Sequence, residues 1–181
     1  AFRLALCSAA LGYAVMSFLM TAVPLQIVNV SLLGEALNAR VIQWHVIAMF
    51  APSFFTGSLI TRFGIRAIMT AGLVLYLAGI IVALSGLQFW YYFATLFFVG
   101  LGWNFLYIAG SSLVTLVTEP EERGRVQGIT DMTVFTAVAC ASLSAGIIHT
   151  IGGWHIMALA ALLPISIIGV TIAMITKHDM P

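Results

Sequence analysis

Long apolar stretches, separated by short polar or glycine-rich connections, make up most of this chain. A helix that crosses a bilayer needs about 20 mostly apolar residues, because each residue rises about 1.5 Å. Six stretches meet this requirement, and we predict helices at residues 4–28, 43–61, 67–85, 88–117, 127–150 and 154–176. The pattern therefore predicts an all-α integral membrane protein, a single bundle of six transmembrane helices over residues 1–181.

Polar residues recur at helical spacing in four of the six predicted helices. In the fourth helix, positions three and four residues apart share one face: Gly100, Asn104, Tyr107, Ser111, Thr115 and Thr118. Similar faces occur in the first, second and fifth helices, whereas the third and sixth are almost uniformly aliphatic. We therefore expect four inner helices and two lipid-facing ones, with the outer helix third in each triplet, as in a three-plus-three repeat.

These polar faces supply the candidates for a solute cavity. The candidate positions are Ser17, Thr21, Ser53, Trp103, Asn104, Tyr107, Ser111 and Ser142. Such residues also form hydrogen bonds between helices inside membranes, so interhelical packing is the alternative interpretation. Trp103 would stack on an aromatic solute or serve only in packing, and an uncharged or aromatic solute suits the group best.

Composition and charge exclude several classes of protein. Hydrophobic residues make up 62% of the chain and charged residues 7%, and mean hydropathy is +1.11, whereas soluble domains carry roughly 25% charged residues. The net charge of +1 argues against a nucleic-acid partner, which requires clustered basic residues. The histidines are too dispersed for a metal site, and no cofactor is predicted. His45 is expected to be an interfacial anchor, and His149 is expected to be wetted.

The basic residues divide unequally between the two predicted membrane sides. One side receives six of the seven: Arg3, Arg62, Arg66, Arg123, Arg125 and Lys177. The other side receives only Arg40. Because basic loops remain in the cytoplasm, both ends of the chain are predicted to be cytoplasmic. The chain begins without methionine, and we expect it to be part of a longer polypeptide.

The connection after the second predicted helix carries Gly57, Arg62, Gly64 and Arg66. It resembles the signature loop of the major facilitator superfamily, with Thr61 at the position of the usual acid. The segment 119–128 is also similar to that family's loop between the fourth and fifth helices of a half. The resemblance implies one half of a secondary transporter with 3+3 inverted repeats, in a bacterial inner membrane. The run 49–57 and the degenerate loop favour the C-terminal half, helices 7–12.

The same loops supply a predicted gating region. Its members are the four loop residues above, together with Arg123, Arg125 and Asp131. Gly57 is expected to allow a close helix approach and Gly64 a tight turn, while the loop arginines would meet helix C-terminal dipoles. Asp131 lies about one turn from the cytoplasmic helix end, where it would pair with an arginine or, alternatively, couple protons.

The leading functional hypothesis is transport of a small solute by alternating access. The partners implied are the lipid bilayer, a small solute and a second six-helix half, from the same polypeptide or from a dimer. The alternative is a six-helix structural or assembly subunit of a membrane complex, in which the polar stripe would pack against other subunits. An enzyme would need converging acids, a nucleophile with its base, or metal ligands, and the sequence predicts none of these.

Overall fold

The computed structural model describes residues 2–174, apart from the side chain of Leu4. Its α-helices are α1 (Phe2–Pro24), α2 (Glu35–Phe50), α3 (Ser53–Phe63), α4 (Ile65–Ser85), α5 (Phe89–Leu116) and α6 (Arg123–Met174). A π-helical segment, Leu25–Val30, continues α1, and a 3-10 turn, Pro120–Glu122, precedes α6. Regular structure in these residues is entirely helical, which confirms the predicted all-α class.

Helix bounds follow the hydrophobic pattern closely in the first, third and fourth predicted helices. The helix α1 with its π-helical continuation covers residues 2–30, α4 begins two residues before its predicted start, and α5 is one residue shorter at each end than predicted. The predicted fifth helix begins four residues earlier, at Arg123. The predicted helix end at 175–176 and Lys177 lie outside the described residues.

The second predicted helix, residues 43–61, is not one straight helix. It consists of α2 and α3, which are bent by 41° relative to each other. Pro52 lies at the break and has no N–H, so it cannot donate to the carbonyl one turn earlier. The helix also begins at Glu35, eight residues before the predicted start. Its polar first turns were wrongly assigned to a connection.

The helix α6 consists of two arms that fold back on each other at Gly153. This glycine has φ 63° and ψ −169°, a conformation that residues with a Cβ rarely adopt. Three hydrogen bonds show the direction of the arms: Ser17–Ser142, Gln26–His149 and Ser8–Thr171. The first two place residues 123–152 parallel to α1. The third returns residues 154–174 to the start of α1.

Four described helices are long and apolar enough to cross a membrane, and the bent pair α2 and α3 adds a fifth. One of the four, the 55-residue segment Pro120–Met174, contains both arms of α6. When these arms are counted separately, the described residues make six helical passes, which is the number that the hydrophobic pattern predicts.

Small residues allow α4 and α5 to pack closely. A Cβ at Gly72 would lie 2.8 Å from Leu106 Cγ, and one at Gly102 would lie 2.6 Å from the Tyr76 ring. Tyr76 is fully buried and its hydroxyl donates to the Gly12 carbonyl of α1. Close backbone approach of this kind replaces the hydrophobic effect as the packing force in lipid.

The predicted inner helices also expose large apolar side chains. In α3, Phe54 is 87% exposed and Phe55 is 68% exposed. In residues 123–152, Met132 and Leu143 are 75% and 76% exposed. The predicted division into inner and outer helices is therefore not complete within this chain, because two of the expected inner passes have apolar faces that no described residue covers.

The described basic residues gather at one end of the bundle. A Cβ at Gly110 would lie 3.2 Å from Ala9 Cβ, so the end of α5 lies beside the start of α1. The helices α4 and α5 are antiparallel, which brings the start of α4 to the same end. This end carries five arginines: Arg3, Arg62, Arg66, Arg123 and Arg125. Arg40, near the start of α2, lies at the opposite end.

Candidate functional site

Five aromatic rings from α1, α2, α5 and α6 form a cluster on the side of the bundle where Phe50 and Phe135 are exposed. This aromatic cluster consists of Tyr13, Phe50, Trp103, Tyr107 and Phe135. The rings of Trp103 and Tyr107 are stacked, with centroids 5.2 Å apart and planes 8° apart. Tyr13 packs edge-on against both, with centroids 5.0 Å from Trp103 and 5.4 Å from Tyr107.

The aromatic cluster has a buried floor and an exposed rim. Trp103 is only 5% exposed, whereas Phe50 is 56% and Phe135 is 57% exposed. Phe50 lies edge-on to Trp103, with centroids 5.8 Å apart and an interplanar angle of 73°. Offset and edge-to-face arrangements of this kind are favourable for aromatic pairs. The cluster thus combines one stacked pair with several edge-on contacts.

The indole N–H of Trp103 is a donor without a partner in the part of the chain that the structure describes. Its Nε1 is buried and makes no hydrogen bond to these residues. Buried polar atoms are usually paired, and leaving one unpaired costs roughly 1–3 kcal/mol. The sequence identified Trp103 as a stacking candidate but gave no signal for this unpaired donor.

Asn104, predicted to face a solute, is fully buried and bonds to the bent pass. Its Nδ2 donates to the Met49 carbonyl and to Ser53 Oγ, both at 2.6 Å. Its Oδ1 accepts from the Thr56 hydroxyl at 2.6 Å. Asn104 and its partner Ser53 therefore fit the alternative interpretation, in which these residues form hydrogen bonds between helices. The bend explains this, because the Met49 carbonyl lies beside the break and is satisfied by a side chain from α5.

The remaining cavity candidates include a hydrogen-bonded pair of serines and two half-buried residues. Ser17 and Ser142 bond to each other at 2.7 Å and thereby join α1 to α6. Ser17 lies one turn after Tyr13 on the same face, so this pair borders the aromatic cluster. Thr21 and Ser111 are half-buried on α1 and α5. The structure thus brings Trp103 and Tyr107 together with Tyr13, Phe50 and Phe135. The sequence had given Phe50 and Phe135 no role in a site.

The predicted gating loop forms the turn between α3 and α4. Gly64 joins the two helices with φ 85°, in the left-handed region that glycine adopts readily, as predicted. Arg62 lies in the last turn of α3, where the helix dipole favours a cation. Arg66 lies in the first turn of α4, so it does not meet a C-terminal dipole of its own helix. The predicted close approach at Gly57 is absent among the described residues, since nothing lies within 4 Å of a Cβ there.

Arg123 and Arg125 are exposed at the start of α6. Arg123 and Gln127 line a cavity of about 300 Å³ at this end. Asp131 accepts a hydrogen bond from Gln127 at 2.9 Å, which is its hydrogen-bond partner among the described residues in place of the expected arginine.

A second polar cluster closes the opposite end of the bundle. Gln26 joins His149 at 3.0 Å and Tyr92 at 3.1 Å, and Ser31 joins Tyr92 at 2.8 Å. His149 is only 8% exposed, so the expectation that it is wetted was wrong. His45 is fully buried and its Nδ1 lies 2.6 Å from the Leu96 carbonyl, so it is not an interfacial anchor. Both histidines hold helices together.

The family comparison covers nearly the whole chain. The family model for the Major Facilitator Superfamily matches residues 5–181. The chain is 45% identical to the Riboflavin transporter RfnT of Brucella anthropi over 156 residues, which is 85% of this chain and 38% of that protein. The family model, which matches almost all of this chain, shows the family.

Two further relatives come from Bacillus subtilis. The chain is 36% identical over 110 residues to the Uncharacterized MFS-type transporter YdeG, covering 60% of this chain and 26% of that protein. It is 29% identical over 167 residues to the Uncharacterized MFS-type transporter YddS, covering 90% of this chain and 38% of that protein. The chain thus spans less than two fifths of the length of these relatives. With its apolar helical passes and the family match, this chain is an integral membrane protein that belongs to the Major Facilitator Superfamily.

Proposed function

We propose that this chain is one six-helix half of a secondary transporter that moves a small solute with a planar aromatic ring by alternating access. The aromatic cluster is the observation that carries the proposal, because its exposed rim, Phe50 and Phe135, faces a side of the bundle that the described residues do not cover. Riboflavin, named in the description of the relative from Brucella anthropi, contains such a ring system. We propose a solute of this chemical class.

The second half belongs to the same polypeptide or to a dimer partner. Support comes from the exposed apolar faces of α3 and of residues 123–152, where Phe54 and Leu143 are 87% and 76% exposed. These faces adjoin the passes that carry the aromatic cluster. A second bundle on this side would cover them and form the other wall of a cavity. The degenerate loop with Thr61 supports helices 7–12, the C-terminal half.

We also propose a bacterial inner-membrane location with the arginine-rich end in the cytoplasm. The support is that, of the basic residues that the structure describes, five arginines lie at one end and Arg40 alone lies at the other, because basic segments are retained in the cytoplasm. No enzymatic activity is proposed, since the relatives are described as transporters.

The assembly-subunit alternative has less support. It requires the polar stripe of α5 to pack against other subunits. Asn104, the most polar member of that stripe, has its hydrogen bonds within this chain, to Met49, Ser53 and Thr56. The stripe therefore offers few polar groups for a further subunit.

Uptake of radiolabelled riboflavin into proteoliposomes containing the full-length protein tests the proposal. An aromatic pair contributes about 1 kcal/mol, so Tyr107→Ala should raise KM about fivefold. Trp90→Ala is the matched control, because Trp90 is 70% exposed and lies outside the aromatic cluster. Absence of saturable uptake by the wild type, or equal KM values in both variants, would contradict the proposal.

A further inference from the structure

We infer that the indole N–H of Trp103 is a specificity-determining donor to an acceptor on the edge of the solute's ring, and that Phe50 occupies the solute's place in this structure. The inference rests on the proposed function, since it assumes that the aromatic cluster receives a planar ring. It adds a requirement to the substrate class. The ring must carry a carbonyl oxygen or a ring nitrogen at its edge.

The first step is the state of Trp103. Its Nε1 is buried and has no hydrogen-bond partner among the described residues, and the whole side chain is 5% exposed. The rings packed around it belong to Tyr13, Phe50 and Tyr107, with centroids 5.0, 5.8 and 5.2 Å away. Aromatic rings stack well but are weak acceptors. A ligand oxygen or nitrogen would satisfy a donor that no described residue satisfies.

The second step is the position of Phe50. It contacts Trp103 edge-on and is 56% exposed, so its ring is held on one side only. Phe50 is the last residue of α2 and lies just before the break at Pro52. Tyr13, Trp103 and Tyr107 lie within continuous helix. Phe50 is therefore the contact of Trp103 that moves when the bend changes.

The third step links displacement of the Phe50 ring by the solute to the bend between α2 and α3. Asn104 follows Trp103 on α5 and donates to Met49 O and Ser53 Oγ, on either side of Phe50 and the break. Asn104 thus holds both sides of the bend, and the adjacent Trp103 contacts Phe50 beside it. A solute ring that displaces Phe50 from Trp103 would act on the segment that Asn104 holds. Solute binding at Trp103 and the angle between α2 and α3 would then change together.

The ligand class follows from these contacts. A ring without acceptors that took the place of Phe50 would gain an edge contact with Trp103 but leave the N–H unpaired. A flavin-type ring has two carbonyl oxygens and unprotonated ring nitrogens at its edge, so it would supply both interactions. Sites that hydrogen-bond a ligand discriminate strongly against analogues that lack the partner atom, because the site's polar group is then left unpaired.

Riboflavin binding to the full-length protein in nanodiscs, followed by quenching of flavin fluorescence, tests the inference. Trp103→Phe retains a ring and removes the N–H, and its Kd should rise about fivefold. Trp90→Phe is the matched control and should bind as the wild type does. The wild type should also bind 2-thioriboflavin or 4-thioriboflavin more weakly, since sulfur is the weaker acceptor. That comparison requires no variant to fold.

The outcomes separate the inference from the proposed function. Wild-type binding that is unchanged in Trp103→Phe and for both sulfur analogues would overturn the assigned donor and leave the transporter proposal standing. Absence of wild-type binding would overturn the proposed solute class and, with it, the donor role. The role of Phe50 has a separate readout in a full-length protein whose single tryptophan is Trp103, all others, including Trp44, Trp90 and Trp154, being replaced by Phe. Acrylamide quenching of Trp103 fluorescence should then increase in Phe50→Ala. Unchanged quenching would refute the inference that Phe50 covers Trp103.

Discussion

Replacing Asn104 by alanine removes three hydrogen bonds that hold α5 to the bent pass. The bonds lead to Met49 O, Ser53 Oγ and Thr56 Oγ1, each at 2.6 Å, and Asn104 is fully buried. Interhelical hydrogen bonds in membranes contribute about 0.6 kcal/mol each. The free energy of unfolding of Asn104→Ala should therefore fall by about 2 kcal/mol.

The assay is reversible unfolding of the full-length protein in mixed micelles by sodium dodecyl sulfate. Thr70→Ala is the control, because the exposed Thr70 hydroxyl bonds only to the Arg66 carbonyl of its own helix. Its effect should remain within about 0.5 kcal/mol. A double-mutant cycle of Asn104→Ala with Thr56→Val should give a coupling free energy of about 0.6 kcal/mol.

The result also decides between the two interpretations of Asn104. A loss of stability with little change in KM supports a structural role at the bend. A loss no greater than that of Thr70→Ala, together with a large increase in KM, would refute the reasoning. It would mean that Asn104 leaves its buried partners to contact the solute during transport.

Three further predictions use thermal unfolding of the full-length protein. Gly72→Ala should cost about 1–3 kcal/mol, because its Cβ would lie 2.8 Å from Leu106 Cγ, whereas Gly57→Ala, which meets nothing within 4 Å, should be neutral or slightly stabilising. Equal effects would contradict the packing of α4 on α5. Gly64→Ala should cost about 1–2 kcal/mol, because its φ of 85° is unfavourable for alanine. Tyr76→Phe should cost about 1 kcal/mol, because its buried hydroxyl donates to α1, and an unchanged melting temperature would argue against that bond.

The sequence predicted the helix bounds well where the apolar pattern of neighbouring residues sets them. A backbone in lipid must satisfy its hydrogen bonds within each helical segment, so apolar length alone placed α1, α4 and α5 within about two residues. The turn at Gly64 and the reversal near Gly153 were also visible as glycines between apolar runs. The start of α2 was missed, since Glu35 and Arg40 lie in polar turns that hydropathy assigns to a connection.

On the polar face of α5, the sequence did not predict which residue contacts a neighbouring helix and which one joins the aromatic cluster. Asn104 and Tyr107 lie one turn apart on the same face, and both were expected to face a solute. The structure buries Asn104 against the bend and leaves Tyr107 half-buried in the aromatic cluster. The difference arises from the break at Pro52, which brings the Met49 carbonyl and the Thr56 hydroxyl to Asn104. Spacing along one helix carries no information about such a neighbour.

The sequence by itself determined that this is a helical membrane protein with a family-type loop and one arginine-rich end. These properties follow from composition and from contacts between residues close along the chain. The tertiary structure alone decided that Tyr13, Phe50 and Phe135 converge on Trp103 and Tyr107. It also decided that the Trp103 N–H has no partner within residues 2–174. Both depend on the rotation and bending of packed helices, which residues far apart in sequence set together.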